Sequence, residues 1–264
     1  MFSTGMPVLS LSCINKGGSQ SLIRLPVSPR LEVEKVFYGS LLRSLACWQA
    51  RPGDIVTVCD PQGKFFRARL TRLTPSEARL VVFSPLSFPP ESFLRIDLFQ
   101  ALPQRERFEL ILEKATEIGV SRIIPFSCRR SITVTERDAR QRKSHRWPEV
   151  VLRAAKQCRR GTIPELLPVL PWQEALAEAG AAKAVFVFSE REESRRLRDA
   201  AAAVSSVRHA ALWIGPEGGF TEEEITEMEL AGFVAVSLGG RILRTETAAV
   251  AGMVMIQHML GDLG

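Results

Sequence analysis

The sequence of 264 residues holds no apolar run near the roughly 18 residues of a membrane-spanning helix. It has three histidines, His145, His209 and His258, and none forms HxxxH or HxH with another, so no metal site is expected. The five cysteines (Cys13, Cys47, Cys59, Cys128 and Cys158) are odd in number, widely spaced and without a CxxC pair. That argues against a disulfide framework and against a zinc knuckle. Neither GxxxxGK(S/T) nor GxGxxG occurs, which removes the usual phosphate loops and with them a nucleoside-triphosphate enzyme. The N-terminus is mildly apolar without a positive leader. Leu11-Ser12-Cys13 follows an apolar stretch too short and interrupted for a lipoprotein signal. Reduced cysteines and the lack of an export signal lead us to expect a cytoplasmic protein that does not engage a membrane.

What is present is ordinary for a globular chain: 45% hydrophobic and 24% charged residues, with a net charge of +6. The length allows one large domain or two smaller ones. Residues 1–21 are rich in Ser and Gly without a sustained period, and read as a mobile extension. From Ile23 to Phe83 the signals are short and β-like. Asp54–Cys59, Phe65–Leu70 and Ala78–Phe83 are strand candidates, with a turn at Asp60-Pro-Gln-Gly63 and one helix expected over Leu31–Trp48. This spacing suggests a small barrel over 22–88. The joint is Ser84-Pro-Leu-Ser-Phe-Pro-Pro90.

From residue 91 to 264 the pattern is strand–helix alternation, hence an α/β fold. Strands are expected at Phe93–Ala101 and Ser121–Phe126, and helices at Arg105–Ile118, Trp147–Arg159 and Pro171–Ala179. Ala184–Ser189, Ala210–Gly215 and Phe233–Leu238 are nearly continuous apolar runs, as in a parallel sheet covered on both faces. Thr221 and Glu224 have capping-box spacing. The last helix, Thr245–Leu260, is apolar nearly all round, so it belongs in the core or at a subunit interface.

Two of these strands run into glycine loops, Gly215-Pro-Glu-Gly-Gly-Phe220 and Leu238-Gly-Gly-Arg-Ile-Leu-Arg-Thr-Glu-Thr247. Ligands of open α/β sheets bind beyond the carboxyl ends of the strands, and glycine lets the backbone approach a flat ligand closely. Glu217 and Glu222–Glu224 would repel a triphosphate but tolerate a cationic one. A single such loop is as readily an ordinary turn; two make a nucleotide-sized pocket.

At these residues the sequence closely resembles the ribosomal RNA small subunit methyltransferase E family of the SPOUT superfamily. The resemblance rests on Leu212–Phe220 and Leu238–Ala248. It continues through Lys114–Gly119, Ile124-Pro125, Ala154–Cys158, Arg160 and Pro164, and covers roughly residues 23–264. It implies a PUA-like RNA-binding barrel followed by a SPOUT domain with a parallel sheet and a trefoil knot, a homodimer, and S-adenosyl-L-methionine as cofactor. It further implies methylation of N3 of a uridine in 16S rRNA of the small ribosomal subunit. Carried over, the cofactor would be held by Phe188, Gly215, Glu217, Gly218, Gly219, Leu238, Gly239, Ile242, Leu243, Arg244, Thr245 and Thr247, with Arg244 and Glu246 beside the transferred methyl. Two positions depart from the family pattern: Lys156 replaces an acidic residue before Gln157-Cys158, and Gln49 stands where the barrel carries a basic residue.

Uracil N3 is not nucleophilic until its proton leaves. Arg244 suits the developing charge on a uracil oxygen. Glu246 is a candidate base, or else an ion-pair partner of Arg241 or Arg244. Between Arg129 and Arg160 eleven basic residues face three acidic ones, an excess larger than that of the whole chain. Within this stretch Arg129, Arg130, Arg153, Lys156 and Arg160 are the candidate RNA contacts, against the plainer reading of a solvated helix face. Two other functions fit the same pattern: a ribose 2′-O-methyltransferase of the same superfamily, and a non-catalytic RNA-binding assembly protein.

Overall fold

The computed structural model describes residues 17–104, 107–140, 144–190, 192, 195–204 and 206–264. The chain divides into two compact units, one of Met1–Glu91 with Leu152–Glu165 and one of Ser92–Val151 with Leu166–Gly264. The expected second domain was continuous from residue 91. Instead Leu152–Glu165 returns to the first unit, because Arg160 is buried against Glu91 and the Arg159 carbonyl accepts from Thr57.

The first unit contains β1 (Ile23–Arg24), β2 (Glu34–Phe37), α1 (Ser40–Cys47), β3 (Ile55–Cys59), β4 (Phe65–Leu73) and β5 (Ala78–Pro85). They form a five-stranded sheet in the order β1-β3-β4-β5-β2. Ala78, Leu80 and Val82 are buried at every second position, the period of a half-covered strand. The helix expected over Leu31–Trp48 is shorter. Glu34–Phe37 pairs with β5 instead, and Gly39, at φ +70°, turns the chain before α1 begins.

The expected extension over residues 1–21 also needs correction. Residues 1–16 lie outside the described residues, but Gly18–Gln20 form a 3₁₀ turn and Ser21 is fully buried. Ser21 accepts from Trp48 Nε1 at 2.7 Å through its carbonyl and from the Ile163 amide at 2.8 Å through its hydroxyl. A Ser/Gly stretch carries no hydrophobic period, so only this polar satisfaction marks its place.

The second unit is a doubly covered sheet. Its strands are β6 (Arg95–Ala101), β7 (Arg122–Phe126), β8 (Glu165–Leu166), β9 (Ala184–Phe188), β10 (His209–Ile214) and β11 (Val234–Val236), in the order β11-β9-β10-β6-β7-β8. The pairs from β11 through β7 are parallel. The helices are α2 (Phe108–Glu117), α3 (Val134–Arg140), α4 (Trp147–Gln157, which runs on into the first unit), α5 (Trp172–Ala179), α6 (Leu197–Ala202), α7 (Glu222–Leu230) and α8 (Thr245–Leu260). The helix expected from Arg105 is described from Phe108; residues 105 and 106 lie outside the described residues. Every residue of β9 is buried, as the unbroken apolar run requires.

One face of the sheet carries an aromatic cluster. Phe99 and Trp213 stack at 4.8 Å, with Phe126, Phe220 and Phe233 around them. The capping box forms as expected: the Glu224 amide donates to Thr221 Oγ1 and the Thr221 amide to the Glu224 carboxylate at 2.9 Å. Helix α8 is buried along Ala249, Gly252, Met253, Ile256 and Leu260, whereas Val254 is exposed and Val250, Ala251, Met255 and Met259 are half-buried. Trp147 is a core residue, packed on Phe108 at 4.2 Å.

Candidate functional site

The glycine loops follow β10 and β11, but these strands are not neighbours in the sheet: β9 lies between them. The chain runs from β9 to β10 in one direction and then crosses back over β9 to β11. Such a reversal opens a crevice at the carboxyl edge of a parallel sheet. A cavity of about 370 Å³ lies there. It is walled by Phe188 and Glu190 after β9, Ile214–Glu217 and Gly219 after β10, Ile242–Thr245 and Ala248 from the second loop and α8, and Gln104 and Arg107 after β6.

A buried relay fixes the two loops to each other. Thr245 Oγ1 donates to the Gly215 carbonyl at 2.7 Å and accepts from Gln100 Nε2 at 3.0 Å. Gln100 is fully buried on β6. Each group is held inside the unit, where losing one partner strands the others. Gly219 is required by its backbone, with φ +66°; a Cβ there would also meet Glu190 Oε1 at 2.6 Å, a contact that this exposed, flexible side chain relieves by moving. Gly252, deep in α8, is required by contact alone, since a Cβ would fall 1.8 Å from the Phe188 ring.

Of the candidate cofactor residues, the structure brings Phe188, Gly215, Glu217, Gly219, Ile242, Leu243, Arg244 and Thr245 to this cavity. Gly218 is exposed beside Arg130, whose guanidinium donates to the Gly218 carbonyl at 2.8 Å. Gly239 lines a neighbouring hollow with Glu190, Arg241 and Ile242. Leu238 and Thr247 are not among the walls of either. The Glu217 carboxylate accepts from the Gln104 amide at 2.9 Å, which ties the loop after β6 to the first glycine loop.

Glu246 pairs with Arg107, not with Arg241 or Arg244. Its carboxylate is nearly buried and is not one of the cavity walls, whereas Arg107 is. Glu246 Oε2 is buried with no hydrogen-bond partner among the described residues. Cys128 does not supply a nucleophile at neutral pH. Burial and then the nearby Glu224 push its thiol up to about 11, so the thiolate is scarce.

The candidate RNA contacts separate. Arg129 and Arg130 are exposed in the second unit. Arg129 supports α7, its amide donating to Glu224 at 2.7 Å and its guanidinium pairing with Glu223 at 3.1 Å, while Arg130 supports the first glycine loop. Arg153 and Lys156 are exposed on the part of α4 in the first unit. Arg160 is a correction: it is 6% exposed and its guanidinium is paired with Glu91 at 2.5 Å. The helix expected over Trp147–Arg159 ends at Gln157, and the chain turns inward before Arg160. Arg142 and Lys143 lie outside the described residues.

The sequence reading missed Gln104, Arg107, Glu190, Ile214, Pro216 and Ala248. Glu190 had a signal, as the first acidic residue after an unbroken apolar strand. Gln100 and Gly252 had one too, a lone amide in a buried strand and a lone glycine in an apolar helix. Arg107 had none.

Comparison with known proteins decides the family. The model of an RNA methyltransferase domain matches residues 90–257. A ribosomal RNA small subunit methyltransferase E of Mycobacterium bovis is 34% identical over 207 residues, which is 77% of this chain and 78% of the relative. The chain belongs to the ribosomal RNA small subunit methyltransferase E family. A Synechocystis member of this methyltransferase family is 30% identical over 259 residues, 96% of this chain and 84% of its own length. The crystal structure of the Neisseria gonorrhoeae methyltransferase E, bound to S-adenosyl methionine, is 32% identical with a TM-score of 0.66, covering 92% of this chain and 98% of that one. A methyltransferase of Legionella pneumophila in complex with the same cofactor is 30% identical with a TM-score of 0.64, covering 91% and 98%.

Proposed function

We propose that this protein transfers a methyl group from S-adenosyl-L-methionine to N3 of a uridine in 16S rRNA of the small ribosomal subunit. The observation that carries the reading is the cavity at the strand-order reversal, with two glycine loops locked by Thr245 and two arginines on its walls. Its chemistry fits the cofactor. Phe188, Ile214, Leu243 and Ala248 offer apolar surface to an adenosyl group, Gly215 and Gly219 allow close backbone approach, and Glu190 and Glu217 place negative charge near a cation. When bound, the cofactor supplies an electrophilic methyl on a sulfonium.

The residues of this chain have the remaining tasks. Arg244, at the start of α8, and Arg107 line the cavity, and their guanidinium groups would stabilise negative charge developing on a uracil oxygen as the N3 proton leaves to solvent. Glu246 serves by fixing Arg107 through their ion pair rather than as the proton acceptor. Thr245 and Gln100 hold the loops in register, so that positioning supplies much of the rate.

The same reading extends to architecture. The five-stranded sheet of the first unit supports a PUA-like barrel, and the crossing from β10 over β9 to β11 supports a trefoil knot closed by the second glycine loop. The partly exposed apolar residues of α8 (Val250, Ala251, Val254, Met255, Met259) support a homodimer. A small-subunit substrate makes the cytoplasm its working compartment.

The test is incubation of the purified protein with methyl-labelled S-adenosylmethionine and 30S subunits from a strain lacking the gene, followed by nucleoside mass spectrometry. Label in 3-methyluridine is expected. Label in a ribose 2′-O-methyl nucleoside would replace the base-methylation reading, and no transfer despite cofactor binding would favour an assembly role.

A further inference from the structure

Arg159 follows α4 with φ +56°, a left-handed conformation that favours glycine at the end of a helix. Its carbonyl is held there by Thr57 Oγ1 at 3.1 Å and Arg67 Nη1 at 2.8 Å. Neither contact needs the arginine side chain, because glycine presents the same carbonyl. The side chain itself is exposed, and among the described residues its guanidinium has no carboxylate partner. It also places a second positive charge near Arg67, whose pKa is lowered first by burial and then by Arg159. For the chain alone an arginine here is unfavourable in its backbone and in its charge. Such cost points to a contact the chain does not itself contain.

The surroundings say what kind. Beside Arg159 is a cavity of about 180 Å³, with Ile55, Val56 and Ala155 among its apolar walls and Thr57 and Lys156 among its polar ones. Lys156 Nζ lies 3.3 Å from the Gln49 carbonyl and 3.8 Å from Asp54, so the one acidic wall is already partly neutralised. Arg153, one turn earlier on α4, is exposed as well. A planar guanidinium and an ammonium on residues that line one cavity suit a phosphate, which accepts two parallel hydrogen bonds from the former and the charge of the latter.

We infer that Arg159, together with Lys156, which lines the same cavity, binds a backbone phosphate of the RNA substrate. The contact is made by the first unit and uses none of the residues assigned to methyl transfer. It takes over the role that the sequence suggested for Arg160, which is buried against Glu91. The inference rests on the rRNA-methyltransferase reading.

The test compares wild type, Arg159→Gly, Arg159→Lys and Arg72→Gln for binding to 30S subunits from a strain lacking the gene, across a salt series, with thermal melting in parallel. Arg72 is an exposed arginine of the same unit and serves as the charge control. Arg159→Gly should melt no lower than wild type, because glycine accepts the backbone angle. It should bind about tenfold more weakly, with the slope of log K against log salt reduced by about 0.7–0.9. Arg159→Lys should keep most of that slope, and Arg72→Gln should match wild type. If wild type binds and Arg159→Gly matches it in affinity and slope, the phosphate contact is refuted while the enzyme reading stands. Equal losses in Arg159→Gly and Arg72→Gln would refute it too, by showing a general charge effect. If wild type itself neither binds nor methylates 30S subunits, the enzyme reading fails and takes this inference with it.

Discussion

Replacing Gly252 with alanine should damage the cofactor site from behind. The added Cβ would fall 1.8 Å from Phe188 Cε2 and 2.5 Å from Cζ, on a ring that is itself a wall of the cavity. Alanine favours a helix interior by about 1 kcal/mol over glycine, while forcing a methyl into a filled site costs about 1–3 kcal/mol. The net is a loss of about 0–2 kcal/mol, so the melting temperature should fall by only a few degrees. Relief comes by swinging Phe188 into the cavity, the side with open space. Cofactor binding must then push the ring back against the same clash. A cost of about 1.4–2.8 kcal/mol raises the dissociation constant for S-adenosylmethionine about 10- to 100-fold. Calorimetric titration of the cofactor and thermal melting with and without it would read both effects. Unchanged affinity together with a large loss of stability would refute the reasoning, because α8 would then have moved instead of the ring.

Three further outcomes follow from the same geometry. Thr245→Val removes the hydroxyl between Gly215 and Gln100; chemical denaturation should show a loss of about 1–3 kcal/mol, and cofactor titration a weaker complex. Arg107→Met leaves the Glu246 carboxylate unpaired near the cavity and should lower the melting temperature, whereas Arg107→Met with Glu246→Met should recover stability but not methyl transfer. Asp97 is 1% exposed. Burial pushes its pKa up, but Arg122, His209 and Arg95 outweigh this and hold the carboxyl below the usual range. Its folded pKa lies below its unfolded value, so its contribution is present above about pH 3.9 and is lost as pH falls through the folded pKa. Melting curves over falling pH should therefore show a shallower acid limb for Asp97→Asn than for wild type.

The strands of the second unit were legible because burial on both faces writes an unbroken apolar run, as at Ala184–Phe188. Helix α7 was legible because Thr221 and Glu224 satisfy their own backbone locally. The first glycine loop was readable for the same kind of reason: the positive φ of Gly219 is a local backbone demand that favours glycine. What the sequence concealed depended on distant partners. Glu246 meets Arg107 across 139 positions, and Arg160 meets Glu91 across 69, so neither pairing leaves a periodic trace. The helix expected over Leu31–Trp48 gave way because Glu34–Phe37 finds a strand partner in β5, a choice that local pattern does not reveal. Ser21 reads as part of a loose extension because its long-range partners, Trp48 and Ile163, are 27 and 142 positions away.

The central claim is that this protein methylates N3 of a uridine in 16S rRNA through a site that includes Arg244. The most direct measurement is nucleoside mass spectrometry of 16S rRNA from cells with the gene, without it, and complemented by wild type or Arg244→Ala. The account predicts that 3-methyluridine disappears on deletion, returns with wild type and does not return with Arg244→Ala. Persistence of 3-methyluridine in the deletion strain would contradict it.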